Sequence, residues 1–189
     1  AHWQYAFGDD IHRKYTDPLI EEDLRNFLAV QYKDKNLTTS EMDSIVANLR
    51  NTGGQNDYYA LRNAFLLYRD GYDFAYSNGR DNPFRVEYID FEHPDHNIFR
   101  CVNQFVMEQG RENRRPDILL FINGIPVCII ELKNPTKQNA TIRDAHTQIC
   151  TRYMRDIPAL LKYCALAVIS DGAKNALGTI YTPFEFFYE

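Results

Sequence analysis

Arg115-Pro116-Asp117-Ile118-Leu119-Leu120-Phe121-Ile122-Asn123-Gly124-Ile125-Pro126-Val127-Cys128-Ile129-Ile130-Glu131-Leu132-Lys133 is the stretch on which the fold turns. Residues 118–122 and 127–132 are apolar runs with little polar alternation, the pattern of strands in a sheet covered on both faces. Asn123-Gly124 between them makes a hairpin the natural connection. Three ionisable side chains stand at the ends of these runs, where burying a charge is costly unless something pairs with it. The turn brings Asp117, at the start of one strand, to the same end of the sheet as Glu131 and Lys133, at the end of the other. Glu131 and Lys133 are two residues apart and so share a face.

Register decides whether Asp117 joins them. A three-residue loop over 123–125 sets Asp117 opposite Glu131, with all three side chains on one face. A two-residue loop shifts the pairing by one and sends Asp117 to the other face. Gly124 can supply the positive φ that a three-residue loop needs. An odd-length loop or a compensating bulge is therefore predicted.

Two carboxylates a few ångströms apart repel, and a hard divalent cation held by oxygen ligands is the usual resolution. Mg²⁺ in such a place polarises a phosphate oxygen, activates water and stabilises a leaving oxygen. A lysine beside it can position or deprotonate the water, or neutralise developing charge. The competing reading is an ordinary surface ion pair at a strand end. The buried flanking strands and the Asn-Gly turn weigh against it.

Working outward, Asp17-Pro18 opens a helix, with Asp17 at the N-cap, Pro18 in the first turn, and Glu21, Glu22 and Asp23 near the positive end of the dipole. Ile20, Leu24, Phe27 and Leu28 form its buried face. Thr38-Thr39-Ser40 starts a second helix over 41–49, stopping near Asn51 to Gly54, and a third spans about 56–68 before Gly71. The first eight residues look like an ill-defined terminus, and 77–83 a loop. Residues 84–88 and 99–107 look like strands. A polar helix spans about 139–155 and stops before Pro158, followed by a buried strand over 163–170 closed by Asp171-Gly172. This order predicts an α/β or α+β sandwich with a central mixed sheet flanked by helices. One domain over 1–189 is expected, helical over about 17–75 and with its core over about 84–189.

The chain has 21 Lys and Arg against 26 Asp and Glu, a net charge of −5. That lacks the basic footprint of a protein gripping DNA alone. Distribution softens this, since Lys133, Lys137, Arg143, Arg152, Arg155, Lys162 and Lys174 dominate 133–174. The four cysteines, Cys101, Cys128, Cys150 and Cys164, form no Cys-x-x-Cys pair, which fits small buried hydrophobes in a reducing cytoplasm and argues against a zinc or disulfide framework. The five histidines (His2, His12, His93, His96, His146) show no metal-binding spacing and are expected in loops or on the surface. No secretory signal or membrane span is expected. No Gly-x-x-x-x-Gly-Lys-Ser/Thr motif encodes ATP binding.

Residues 103–178 resemble the N-terminal nuclease domain of the restriction subunit of type I restriction-modification enzymes, within the PD-(D/E)xK nuclease superfamily. The resemblance lies in Val102-Asn103-Gln104-Phe105, Arg115-Pro116-Asp117, Asn123-Gly124-Ile125-Pro126 and Glu131-Leu132-Lys133-Asn134-Pro135. It continues through Ala145, Gln148-Ile149, Tyr153, Asp156-Ile157-Pro158, Ser170-Asp171-Gly172 and Gly178-Thr179. It implies a restriction-endonuclease-like core that cuts double-stranded DNA with Mg²⁺, Asp117 and Glu131 as metal ligands and Lys133 as the catalytic lysine. Glu21, with Leu24 and Leu28, matches the family's first-helix acid and would add a metal ligand. Its competing reading is a helix-start acid favoured by the dipole. ATP would enter only through a motor that follows this domain in the family, so the chain is expected to be a fragment or truncated subunit, with modification and specificity subunits as partners.

The family's Gln-x-x-x-Tyr pattern is broken here. Gln148 is followed by Arg152 at the fourth position and Tyr153 at the fifth. At about 100° per residue Tyr153 leaves the Gln148 face unless the helix is locally overwound. Gln148 is expected near the site or a phosphate. Tyr153 is either a site residue or a core aromatic, and Arg152 could take the tyrosine's place. Two rivals stand beside the restriction reading: a stand-alone repair or mobile-element nuclease of the same core, and a non-catalytic DNA-binding or assembly module.

Overall fold

The computed structural model describes residues 2–76, 79, 81–134 and 141–189. Ser77, Asn78 and Arg80 of the expected loop, and Pro135, Lys137 and Asn139, lie outside the described residues.

Six strands form a mixed sheet in the order β1 (Gln4–Phe7), β4 (Phe99–Asn103), β7 (Ile118–Ile122), β8 (Ile125–Leu132), β9 (Leu166–Ser170) and β10 (Asn175–Gly178). β1 runs parallel to β4 and β9 parallel to β8, while the other neighbours are antiparallel. Two short hairpins stand apart, β2 (Tyr72–Phe74) with β3 (Phe84–Val86) and β5 (Met107–Gln109) with β6 (Glu112–Arg114). The expected α+β architecture, helices flanking a mixed sheet, is what the chain adopts.

Helices cover the sheet on both sides. On one side α1 (Glu21–Gln31), α2 (Thr39–Arg50) and α3 (Asp57–Asp70) bury Leu24, Phe27, Leu28, Ile45, Leu49 and Tyr68 in a cluster with Ile125, Tyr88 and Tyr163. Thr38 and Glu41 form a reciprocal capping box on α2, and the Asn56 side chain caps α3. On the other side Ala145, Ile149, Tyr153, Ile157 and Leu160 pack on Val102, Leu119, Phe121, Ile129 and Ile169. They come from α4 (Ile142–Thr147), a π-helical turn (Gln148–Tyr153), α6 (Pro158–Leu161) and Ile157, which joins α5 (Met154–Asp156) to α6. Both faces of β7 and β8 are thus covered, which explains their unbroken apolar runs.

Several sequence expectations need correction. The first eight residues are not a loose terminus, because β1 pairs with β4 from Gln4↔Arg100 to Phe7↔Asn103. Tyr5 and Phe7 stay exposed on that edge strand, so no buried alternation marks it. The run 99–107 is not one strand: Gln104, at φ +55, turns the chain out of β4 before β5 begins. Residues 158–161 form the short helix α6, and strand β9 begins only at Leu166.

Candidate active site

The β7–β8 hairpin turns in two residues, pairing Ile122 with Ile125. Asn123 (φ +51) and Gly124 (φ +76) are both left-handed, as a type I′ turn requires. Alone, that turn would send Asp117 to the face opposite Glu131. The register then shifts: Phe121 pairs with Pro126 but Leu120 with Cys128, so Val127 is an extra residue in β8. This bulge is the compensation that the sequence demanded. Pro126 helps explain its place, since it has no N–H for the ladder and β9 joins β8 only from Cys128 onward. One residue past the last pair, Ile118↔Ile130, Asp117 stands opposite Glu131 on the face that carries Leu119 and Ile129.

Asp117 is held on both oxygens. Its Oδ2 accepts the Leu132 N–H at 2.9 Å, and its Oδ1 accepts the Gln104 Nε2 at 3.1 Å. The Gln104 N–H also donates to the Asp117 carbonyl at 2.9 Å. Gln104 therefore orients the carboxylate, a role the sequence did not disclose beyond its place in the Asn103-Gln104-Phe105 run. Glu131 is only 2% exposed and accepts from Lys133 Nζ at 3.1 Å, from the Gln148 amide, and from the Tyr153 hydroxyl at 3.3 Å. Lys133 Nζ also donates to Gln148 Oε1 at 2.6 Å, and its backbone N–H anchors the strand end to Ser170 O at 2.8 Å.

These surroundings pull Glu131 in opposite directions. Burial, then the facing Asp117 charge, push its pKa up to about 7, although Lys133 and Tyr153 work to lower it. The upward pair wins. A carboxyl that resists ionisation beside a second carboxylate calls for a countercharge greater than one ammonium supplies. The donor set fits a hard divalent cation, since two oxygen-bearing groups share one face with no thiolate among them.

The π-helical turn resolves the broken Gln–Tyr spacing. With five residues rather than four separating successive bonded positions, Gln148 and Tyr153 return to one face, and Gln148 Nε2 donates to Tyr153 Oη at 2.6 Å. The helix is underwound there, the reverse of the overwinding considered from the sequence. Tyr153 belongs to the core and touches the carboxylate cluster: its ring is buried in the apolar cluster that holds Ile149, and its hydroxyl reaches Glu131. Arg152 does not take its place. It is exposed, and the Asp144 carboxylate feels its charge.

Glu21 is not brought to this cluster. The N-terminus of α1 is tied to the opposite end of the hairpin, where the Ile20 N–H donates to Gly124 O at 2.9 Å. Partial burial works to raise the Glu21 pKa. Arg50 and Arg25, each 2.6 Å away, outweigh that and hold it below the usual range. Glu21 is thus the first residue of α1, engaged with two arginines. The basic stretch is also partly committed: Lys162 Nζ donates to the Arg50 and Thr52 carbonyls at 2.8 and 2.9 Å, and Arg155 pairs with Asp156. Arg115, Arg143, Arg152 and Lys174 are exposed.

A shallow cleft of about 430 Å³ opens beside Asp117 and Lys133, lined also by Asn103, Gln104, Ile118, Leu132 and Asn134. His93 and His96 are exposed in an irregular segment, as expected, but they converge with an acidic partner, Asp90, beside the hairpin tip rather than here. All four cysteines are free thiols. Among the described residues no helix is long and apolar enough to cross a membrane.

A helix-flanked mixed sheet with two carboxylates and a lysine gathered at the open end of its central hairpin is a restriction-endonuclease-like core. The family described as type I restriction enzyme R protein N terminus matches residues 1–186, and the chain belongs to it. The chain is similar to the type I restriction enzyme HindI endonuclease subunit of Haemophilus influenzae, with 31% identity over 195 residues, 98% of this chain and 18% of the relative. It is 41% identical over 114 residues, 59% of its length and 11% of the relative, to the putative type I restriction enzyme MjaIXP endonuclease subunit of Methanocaldococcus jannaschii. The SsaAORF53P endonuclease subunit of Staphylococcus saprophyticus matches at 25% over 88% of the chain and 18% of the relative. The chain thus spans less than a fifth of the relatives' length.

Proposed function

We propose that residues 1–189 act as one Mg²⁺-dependent endonuclease domain of a type I R subunit, hydrolysing phosphodiester bonds of double-stranded DNA. The observation that carries this reading is the bulge-set register that puts Asp117 opposite Glu131, with Lys133 bonded to Glu131. Asp117 and Glu131 would hold the cation, which when bound polarises a phosphate oxygen and activates the attacking water. Gln104 and the Leu132 N–H keep Asp117 from rotating away. Gln148 and Tyr153 do the same for Glu131. An ammonium has three N–H donors, so Lys133 can keep Glu131 and Gln148 while a third serves a phosphate oxygen or the water.

The shallow cleft suits a duplex backbone rather than an enclosed small molecule. Grip and sequence choice would come from the rest of the subunit, an ATP-driven motor included, and from modification and specificity subunits. The net charge of −5 accords with that division of labour. Free thiols at all four cysteines accord with work in the cytoplasm.

The test is plasmid nicking by the chain with Mg²⁺ or Mn²⁺, wild type against Lys133→Ala. A weak, metal-dependent activity is expected, falling ~10²- to 10³-fold in the variant as charge stabilisation is lost. Equal cutting by Lys133→Ala, or wild-type cutting undiminished by chelator, would overturn the proposal.

A further inference from the structure

Residues 90–98 approach β4 over the hairpin tip, and their backbone is tied down before any side chain is considered. The Asp90 N–H donates to Asn97 Oδ1 at 2.9 Å, and Asn97 Nδ2 returns bonds to the Asp90 carbonyl at 2.7 Å and the Pro94 carbonyl at 3.0 Å. Asn97 Oδ1 also accepts from Asn123 Nδ2 at 2.8 Å, so the segment is stitched to the turn. Asp90 is 4% exposed within this frame.

The Asp90 carboxylate is oriented as a ligand. Its Oδ1 accepts the His93 backbone N–H at 2.8 Å, which fixes the group and leaves Oδ2 facing two imidazoles. His96 Nδ1 lies 3.0 Å from Oδ2 and His93 Nδ1 lies 3.6 Å from it. The two rings stack at 5.0 Å with planes 18° apart, and both side chains are more than half exposed at their outer edges. One ligand atom from each of the three residues lies within 4.8 Å of the other two. Around a tetrahedral ion with bonds of ~2.1 Å, neighbouring ligand atoms stand ~3.4 Å apart. The observed separations bracket that value.

From this convergence we propose that Asp90, His93 and His96 form a transition-metal site that takes Zn²⁺. Two imidazoles and one carboxylate match a borderline ion far better than Mg²⁺ or Ca²⁺, which prefer all-oxygen shells. The site is chemically distinct from the Asp117–Glu131 cluster and stands at the other end of the hairpin. Three protein ligands leave a fourth position for water. The His93 N–H holds the carboxylate, and Asn97 holds the Asp90 main chain that carries it. Bound metal clamps the 90–98 segment onto the hairpin turn through Asn97 and Asn123. The proposal does not depend on the nuclease reading.

The experiment is calorimetric titration of the metal-free 189-residue chain with Zn²⁺, with Co²⁺ as an optical probe of tetrahedral nitrogen and oxygen coordination. It is run on wild type, Glu131→Gln, and His93→Ala and His96→Ala, singly and together. One equivalent is expected in wild type and Glu131→Gln. Affinity should fall at least tenfold in each single histidine variant and further in the double. Because both rings are largely exposed, the variants should keep the wild-type circular dichroism, which is recorded alongside. No uptake of Zn²⁺ by wild type, a fall of less than tenfold in the double variant, or loss of binding in Glu131→Gln would each overturn the proposal.

Discussion

At the tip of the β7–β8 hairpin, Asn123 is fully buried and neutral, and every polar atom of its side chain has a neutral partner. Its Oδ1 accepts from the Ile98 N–H at 2.7 Å, and its Nδ2 donates to the Tyr88 carbonyl at 2.9 Å and to Asn97 Oδ1 at 2.8 Å. At the open end, six residues before Asn123 on one strand and seven after Gly124 on the other, Glu131 is nearly as buried but ionisable, and on its β7 side it faces another carboxylate. One end closes its polar accounts among amides and carbonyls. The other leaves an electrostatic conflict standing inside a low-dielectric site. Neutral, satisfied polar networks add rigidity, whereas buried like charges cost stability and persist where chemistry needs them. On the proposed nuclease reading, the tip is the scaffold and the open end is the tool.

That contrast breaks most severely at Gly124. A Cβ there would stand 2.1 Å from the Ile20 carbonyl oxygen and 3.1 Å from the Leu24 nitrogen, both backbone atoms of the α1 start, and φ is +76. Gly124→Ala should cost ~3–5 kcal/mol, combining left-handed strain with an overlap that only main-chain movement can relieve. Urea denaturation measures it, and a loss below ~1 kcal/mol would show that the tip is not the rigid end. Mg²⁺ or Mn²⁺ binding proposed for Asp117 and Glu131 should survive in the folded fraction, because those residues are at the other end of the strands.

The open end predicts the opposite behaviour, a gain on neutralisation. Glu131 keeps its proton in the folded chain up to about pH 7, whereas an unperturbed glutamate loses it near 4.5. Between those values the unfolded chain binds fewer protons than the folded one, so folding stability falls as pH rises through that window. The full penalty is reached above it, on the order of 3 kcal/mol in metal-free protein. Subtracting the Glu131→Gln profile from the wild-type one isolates this component. Wild-type stability relative to the glutamine variant should fall from pH 4 to 8, and added Mg²⁺ or Mn²⁺ should restore it for wild type alone. A flat difference would remove the conflict from the comparison.

How far the sequence disclosed these two ends depends on what each encodes locally. The Asn-Gly turn, the buried runs and the need for Asp117 to meet Glu131 together implied a bulge or an odd loop, because side-chain alternation in a strand is strict. Glu21 shows the limit of periodicity. Helical spacing identified the face of α1 that is buried, but spacing says nothing about which end of the sheet a helix meets, and the Ile20–Gly124 bond put it at the tip. Asp90, His93 and His96 were missed because their convergence arises from an irregular segment with no period to recognise. Strand β1 was missed because its aromatics face solvent at a sheet edge.

The Gln148–Tyr153 pair lies between these cases, since the residues were visible and only their geometry was hidden. One extra residue between them looked like a damaged motif, yet the π-helical turn absorbs it and returns the hydroxyl to Glu131. Such a turn gives up regular α-helical bonding, so it persists only if the contact it creates is worth keeping. Tyr153→Phe tests that with the smallest change, leaving the ring buried in the core and removing only the oxygen. The loss at neutral pH should be about 1 kcal/mol, the scale of a single hydrogen bond. Because the hydroxyl donates to the Glu131 carboxylate and helps to lower its pKa, its removal should move the upper edge of the pH window higher. Thermal unfolding measured across pH on both proteins reads that edge. An unmoved edge with the same loss of stability would mean that Tyr153 serves the core alone. A shifted edge would place the π turn among the devices that set the charge state of Glu131.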